Sequence, residues 1–107
     1  MLPIADLADQ LNQGQVTSQE LVERCLEKIA DEKGEGPRTI LFCDQARVKF
    51  TAKKIDQFRK SGTFVAPLAG IPISVKDLFD VTGEITTAGS ILLKNSPPAK
   101  IDAPSIK

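Results

Sequence analysis

A single lysine, Lys76, closes an apolar run within "PLAGIPISVKDLFDVTGEITTAGS", Pro67 to Ser90, and Asp77, Asp80, Glu84, Thr86, Thr87 and Ser90 follow it closely. A lysine in that place either snorkels to water or, if desolvated enough to stay neutral, accepts a proton. The second use matters because the 107-residue chain contains no histidine. Without one there is no Ser-His-Asp or Cys-His hydrolase, no histidine proton shuttle and none of the usual zinc sites. Acid and base chemistry near neutral pH then falls to a lysine or a carboxylate.

Other chemistries fit the segment less well. Asp77, Asp80 and Glu84 miss the Asp-x-Asp-x-Asp-Gly spacing of a calcium loop, so turn capping is expected of them and no metal is implied. Gly83, Gly89 and Ser90 lack the lysine that a phosphate loop places before its serine. The hydroxyls of Thr86, Thr87 and Ser90, read alone, are ordinary turn chemistry. Cys25 and Cys43 show no Cys-x-x-Cys spacing and read as buried thiols rather than a disulfide or a ligand pair.

The elements that position Lys76 can be read from periodicity and punctuation. Ile4, Leu7, Ala8 and Leu11 recur at helical spacing and Gly14 stops the helix. Thr17-Ser18-Gln19-Glu20 reads as a capping box, closed by a Val16 and Leu21 staple. The helix it opens should run from Ser18 to Asp31 or Glu32 and bury Leu21, Val22, Cys25, Leu26 and Ile29, before a break at Gly34 to Pro37. Thr39 to Cys43 is short, β-branched and apolar, which predicts a strand. Asp44 caps a third helix from Gln45 to about Lys60, marked by Val48, Ala52, Ile55 and Phe58 and ended by Ser61-Gly62. After Gly62 the texture changes to short segments punctuated by Pro67, Gly70, Pro72, Gly83 and Gly89. A second strand is expected from Pro72, with Ile71, Ile73 and Val75 on one face and Ser74 and Lys76 on the other, leaving Lys76 and Asp77 pointing apart.

Fourteen basic residues balance fourteen acidic ones, which argues against a nucleic-acid module. The densest basic stretch, Lys49, Lys53, Lys54, Arg59 and Lys60, shares its helix with Asp56 and reads as a solvated face. Asp6 and Asp9 interrupt any secretory pattern, and the Phe64 to Ile73 run is far too short to span a membrane. A soluble cytoplasmic protein is expected.

The segment from Leu68 to Ser90 resembles the lysine-bearing signature of the amidase signature family, Leu-x-Gly-Ile-Pro, then Val-Lys-Asp, then Gly-x-x-Thr-Thr-x-Gly-Ser. The matching positions are Leu68, Gly70, Ile71, Pro72, Val75, Lys76, Asp77, Gly83, Thr86, Thr87, Gly89 and Ser90. The order of the flanking elements is similar to the family's N-terminal portion, so the resemblance covers essentially the whole chain. It implies an α/β fold in which helices precede the first strands of a mixed central sheet, here an incomplete N-terminal part of one amidase domain. Residues 1–62 would be mainly helical with one strand, and residues 63–107 would be strand and loop.

The resemblance also implies hydrolysis of a C–N amide bond by a Ser, cis-Ser, Lys triad without cofactor or metal. Lys76 would be the general base, and Thr86, Thr87, Gly89 and Ser90 would be active-site loop residues. The small-molecule amide substrate would belong to the full-length enzyme, with no nucleic acid or membrane partner. Family members draw both serines from a downstream Gly- and Ser-rich segment, whereas Ser18, Ser61, Ser74, Ser90, Ser96 and Ser105 stand isolated here. The chain alone is therefore expected to be inactive, because such groups act as a unit. An alternative is a non-catalytic interaction protein derived from an amidase N-terminus. In either case an open sheet edge would favour association with a partner or with the missing C-terminal portion.

Overall fold

The computed structural model, which describes residues 2–107, divides after Pro72 into two units. The first is built on helices. Leu7 and Leu11, one turn apart, are the buried positions of α1 (Ile4–Asn12). The helix ends in a Schellman motif, in which Gln15 N–H donates to the Gln10 carbonyl (2.9 Å) and Gly14 N–H to the Leu11 carbonyl (3.2 Å). Gly14 supplies the left-handed turn this requires, with φ +69°.

Helix α2 (Ser18–Ala30) starts where its capping box places it. Glu20 N–H donates to Thr17 Oγ1 at 3.1 Å, and Thr17 N–H donates to Glu20 Oε2 at 2.8 Å. The two donors between them go to a carboxylate distant in sequence: Asp56 accepts from Ser18 N–H (2.8 Å) and Gln19 N–H (3.1 Å). All four opening amides of α2 are thus satisfied, and negative charge lies at the positive end of the helix dipole. Asp56 is buried on α4 (Gln45–Lys60), so it is not part of the solvated face that its lysine neighbours suggest. Asp44 opens α4 by accepting from Arg47 N–H at 3.0 Å.

Packing follows from these ends. Val16 and Leu21, the two halves of the staple, join Leu7 and Leu11 in one apolar cluster against which Ile71 packs. Val22, Leu26 and Ala52 form a second between α2 and α4, with Ile29, Cys43 and Val48 against it. Cys25 and Cys43 are half-buried and both are free thiols. A short helix, α3 (Gly36–Thr39), occupies the expected Gly34 to Pro37 break. Pro37 lies in its first turn, where a missing N–H costs nothing. A Cβ on Gly36 would lie 2.4 Å from the Ile29 carbonyl oxygen, so only glycine allows this approach.

Polar contacts tie the Ala69-Gly70 turn to the helices. Ser18 Oγ donates to the Gly70 carbonyl at 2.8 Å, and Arg59 Nη2 donates to the Ala69 carbonyl at 2.8 Å. Gly70 has φ +92°, and a Cβ there would lie 3.1 Å from that of Ser18. These bonds and Ile71 carry the first unit past Gly62, where the composition changes, to Pro72.

The expected α/β character is corrected in one respect: among the described residues there are helices and no strand. The predicted strand at Thr39 to Cys43 begins as the last residue of α3, with Ile40 N–H donating to the Gly36 carbonyl at 3.0 Å. Leu41 and Phe42 then stand exposed. The predicted strand from Pro72 is extended but unpaired, and Ile73 is 81% exposed. β-Branched composition favours a strand only where a neighbouring edge completes the ladder, and neither segment has one.

The second unit, Ile73 to Lys107, contains one 3-10 turn (Ile91–Leu93) and otherwise turns and bends. Every buried side chain among the described residues lies in the first unit. Hydrogen bonds hold the second. Gly83 N–H donates to the Ala99 carbonyl (2.8 Å), Ala99 N–H to the Glu84 carbonyl (2.9 Å) and Ala103 N–H to the Asp80 carbonyl (2.9 Å).

Candidate active-site segment

Lys76 lies on the second unit, at the point where extended backbone turns. Its carbonyl accepts from Leu78 N–H at 2.7 Å and Phe79 N–H at 3.2 Å, so the bend immediately follows the lysine. The Lys76 side chain is exposed, not desolvated as a sheltered base would be, and its ammonium has no hydrogen bond or ion pair among the described residues.

The next residue is held tightly. Asp77 Oδ1 accepts from Thr87 N–H at 2.8 Å, and its Oδ2 accepts from the Thr87 hydroxyl. One turn on, Asp80 Oδ1 accepts from Thr86 Oγ1 at 2.7 Å. The two pairs are nested in antiparallel order, 77 with 87 outside 80 with 86, and close the loop between them. Of the two carboxylates, Asp77 takes a backbone amide of the turn, as capping requires, whereas Asp80 takes only a side-chain hydroxyl. Within the loop, Glu84 N–H donates to the Val81 carbonyl (2.9 Å) across Gly83. Thr82 donates through its N–H (2.7 Å) and its hydroxyl (2.8 Å) to Asp102 Oδ1.

Thr87 also begins a tight turn in which Ser90 N–H donates to its carbonyl at 2.8 Å. The central residues, Ala88 and Gly89, have φ +49° and +74°, the pattern of a type I′ turn. An alanine at positive φ is strained, and the turn holds it there. The Thr87 hydroxyl and then the Thr87 N–H hold the Asp77 carboxyl below its ordinary value, outweighing desolvation, and the Ala88 and Gly89 amides pull the same way.

The expected loop residues are thus brought together in part. Thr87 meets Asp77, Thr86 meets Asp80, and Gly89 and Ser90 share the Thr87 turn, but none bonds to Lys76. The pairings with Asp77 and Asp102 carry no local signal, since each partner lies ten or more residues away. Among the described residues no group of three His, Cys, Asp or Glu side chains could hold a metal. A shallow cleft on the first unit, lined by Glu23, Leu26, Glu27 and Lys49, mixes both charges without converging polar groups.

A family model described as Amidase matches residues 20–107. A glutamyl-tRNA(Gln) amidotransferase subunit of Leptospira interrogans is 32% identical over 93 residues, covering 87% of this chain and 19% of that protein. The corresponding subunit of Cutibacterium acnes is 34% identical over 97 residues, covering 91% and 19%. AtzE, the 1-carboxybiuret hydrolase subunit of Pseudomonas sp. strain ADP, is 46% identical over 57 residues, covering 53% and 12%. A solved structure, described as a vestigial protein complex that reveals the evolutionary origins of an s-triazine catabolic enzyme, superposes with a TM-score of 0.86 at 30% identity. It covers 95% of this chain and 22% of the other. The chain spans about a fifth of the length of these amidotransferase subunits.

Proposed function

The chain belongs to the amidase family, and from that premise we propose that it forms the lysine-bearing part of a hydrolase of C–N amide bonds, with Lys76 as general base. The observation that carries this reading is the position of Lys76. It lies inside the matched region, its ammonium has no partner, and the residue beside it is locked to the threonine turn. A lysine is among the side chains that can carry the proton transfers of amide hydrolysis.

In the proposed mechanism Lys76 Nζ takes a proton, through a bridging serine, from a nucleophilic serine as that oxygen attacks the amide carbon, a role that requires the remainder of the enzyme to cover the side chain left exposed here. The proton returns to the departing nitrogen as the C–N bond breaks, and water then hydrolyses the acyl ester along the same relay. Lys76 ends each cycle as the neutral amine. Both serines come from a Gly- and Ser-rich segment outside these 107 residues, so the chain by itself does not turn over. Substrate is a small-molecule amide.

Lys76→Ala in the full-length polypeptide that carries these residues should lower amide hydrolysis, measured as ammonia release, by about 10²- to 10⁴-fold. Because Lys76 is exposed and unbonded, folding should change little, by under about 0.5 kcal/mol. Near-normal turnover would overturn the assignment, as would ammonia release by the 107-residue chain alone for its predicted inactivity.

A second reading, an interaction protein without turnover, is favoured by the uncovered apolar side chains of the second unit and by the description of the structural neighbour as a protein complex. It predicts stable association with a partner chain that Lys76→Ala leaves intact.

A further inference from the structure

We propose that Asp77, acting through Thr87, is a positioning residue that fixes the direction in which Lys76 is presented, an inference that rests on Lys76 being the base. Two restraints converge on the lysine. On its own carbonyl, the Leu78 and Phe79 amides fix the peptide that leaves it. On the next residue, both carboxylate oxygens of Asp77 are held by donors of a single residue, Thr87, one from its backbone and one from its hydroxyl. Two bonds to one partner fix orientation as well as distance, in the way a bidentate pair does.

Thr87 is itself immobilised by the Ser90 N–H bond and by the strained turn through Ala88 and Gly89. The Asp80 and Thr86 rung keeps the same loop from rotating about the first rung. Restraint of this kind is what an exposed lysine needs. Its four-carbon stem is flexible, no contact of its ammonium fixes it, and proton transfer demands a narrow geometry. The fixed backbone supplies the part of that geometry that the side chain cannot. Asp77 does this without touching the reacting atoms, and its charge is already committed to Thr87.

The test compares Lys76→Ala, Asp77→Ala, Thr87→Val and Thr87→Ser. Steady-state amide hydrolysis is measured in the full-length polypeptide, and the heteronuclear NOE of the Lys76 amide is measured in the 107-residue chain. Asp77→Ala and Thr87→Val should each lower kcat by about 10- to 100-fold with KM within about twofold, the cost of a misplaced reactive group. Thr87→Ser, which keeps both donors, should restore at least about half of kcat, and the NOE should fall in Thr87→Val but not in Thr87→Ser. If Asp77→Ala does not fold, the two threonine variants decide alone. The inference is overturned by unchanged kcat in Thr87→Val, by a KM change that accounts for the whole loss, by a loss in Thr87→Ser equal to that in Thr87→Val, or by an unmoved NOE. The Lys76→Ala control separates the two levels. Full activity there removes the base reading itself, whereas a dead Lys76→Ala beside active Asp77 and Thr87 variants removes only the positioning role.

Discussion

Thr87 makes Asp77 a stronger acid than a free aspartate, and a pH dependence follows. The folded carboxyl lies below its ordinary 3.8, so the ionised form is the one the closed loop prefers. The clamp therefore contributes in full above the unfolded value and is lost as pH falls through the lower folded value. The Thr87 amide should be protected by the clamp at pH 5 and above. Its protection, taken relative to the intrinsic rate at each pH, should fall as the pH is taken below 3.8, and the Asp77 carboxyl should titrate at higher pH in Thr87→Val. A Thr87 amide equally protected at both ends of that range would show that the clamp does not hold the loop. Of this arrangement the sequence shows only the residue types. The choice of Thr87 and Thr86 as partners of Asp77 and Asp80 depends on how the loop folds back on itself. The exposure of Lys76 is one of the two readings its place at the end of an apolar run allows, and the run itself does not say whether anything covers it.

Helix ends separate what is local from what is not. Thr17 and Glu20 are three residues apart, and the box they form is visible in the sequence because its geometry is fixed by the helix itself. Asp56 caps the same helix from 37 and 38 residues away, and nothing near it in sequence says so. Thr17→Ala should cost about 1 kcal/mol. Asp56→Ala should cost more, about 2 kcal/mol, because it leaves the buried Ser18 amide and the part-buried Gln19 amide without their acceptor. Urea midpoints measured at constant slope would check the order, and an Asp56→Ala variant as stable as the wild type would refute the capping role. Gly36→Ala should destabilise by about 1–3 kcal/mol through overpacking against Ile29. The two expected strands fail for a related reason. Alternation and β-branching describe a surface that could pair, and pairing needs a second strand that the composition of the first cannot supply.

Across the whole molecule, apolar burial and hydrogen bonding are unevenly shared. The first unit has both, whereas the second has bonds and no buried side chain; Ile91 and Leu92 there are 89% and 93% exposed. No helix among the described residues is long and apolar enough to cross a membrane. Local stability should follow burial. In hydrogen exchange of the 107-residue chain, amides of α2 and α4 should be the last to exchange, and those from Ile73 to Lys107 should exchange well before them. Uniform protection across both units would contradict this division.

The Asp56 cap also has a consequence during synthesis. As the chain leaves the ribosome, Thr17 and Glu20 emerge almost together and can start α2 at once. The amides of Ser18 and Gln19 must wait for a residue made 37 positions later, and until then they are hydrated. The helix therefore begins as a local, reversible structure and is completed only when α4 docks, so the second carboxylate acts as a latch that records the arrival of the rest of the unit.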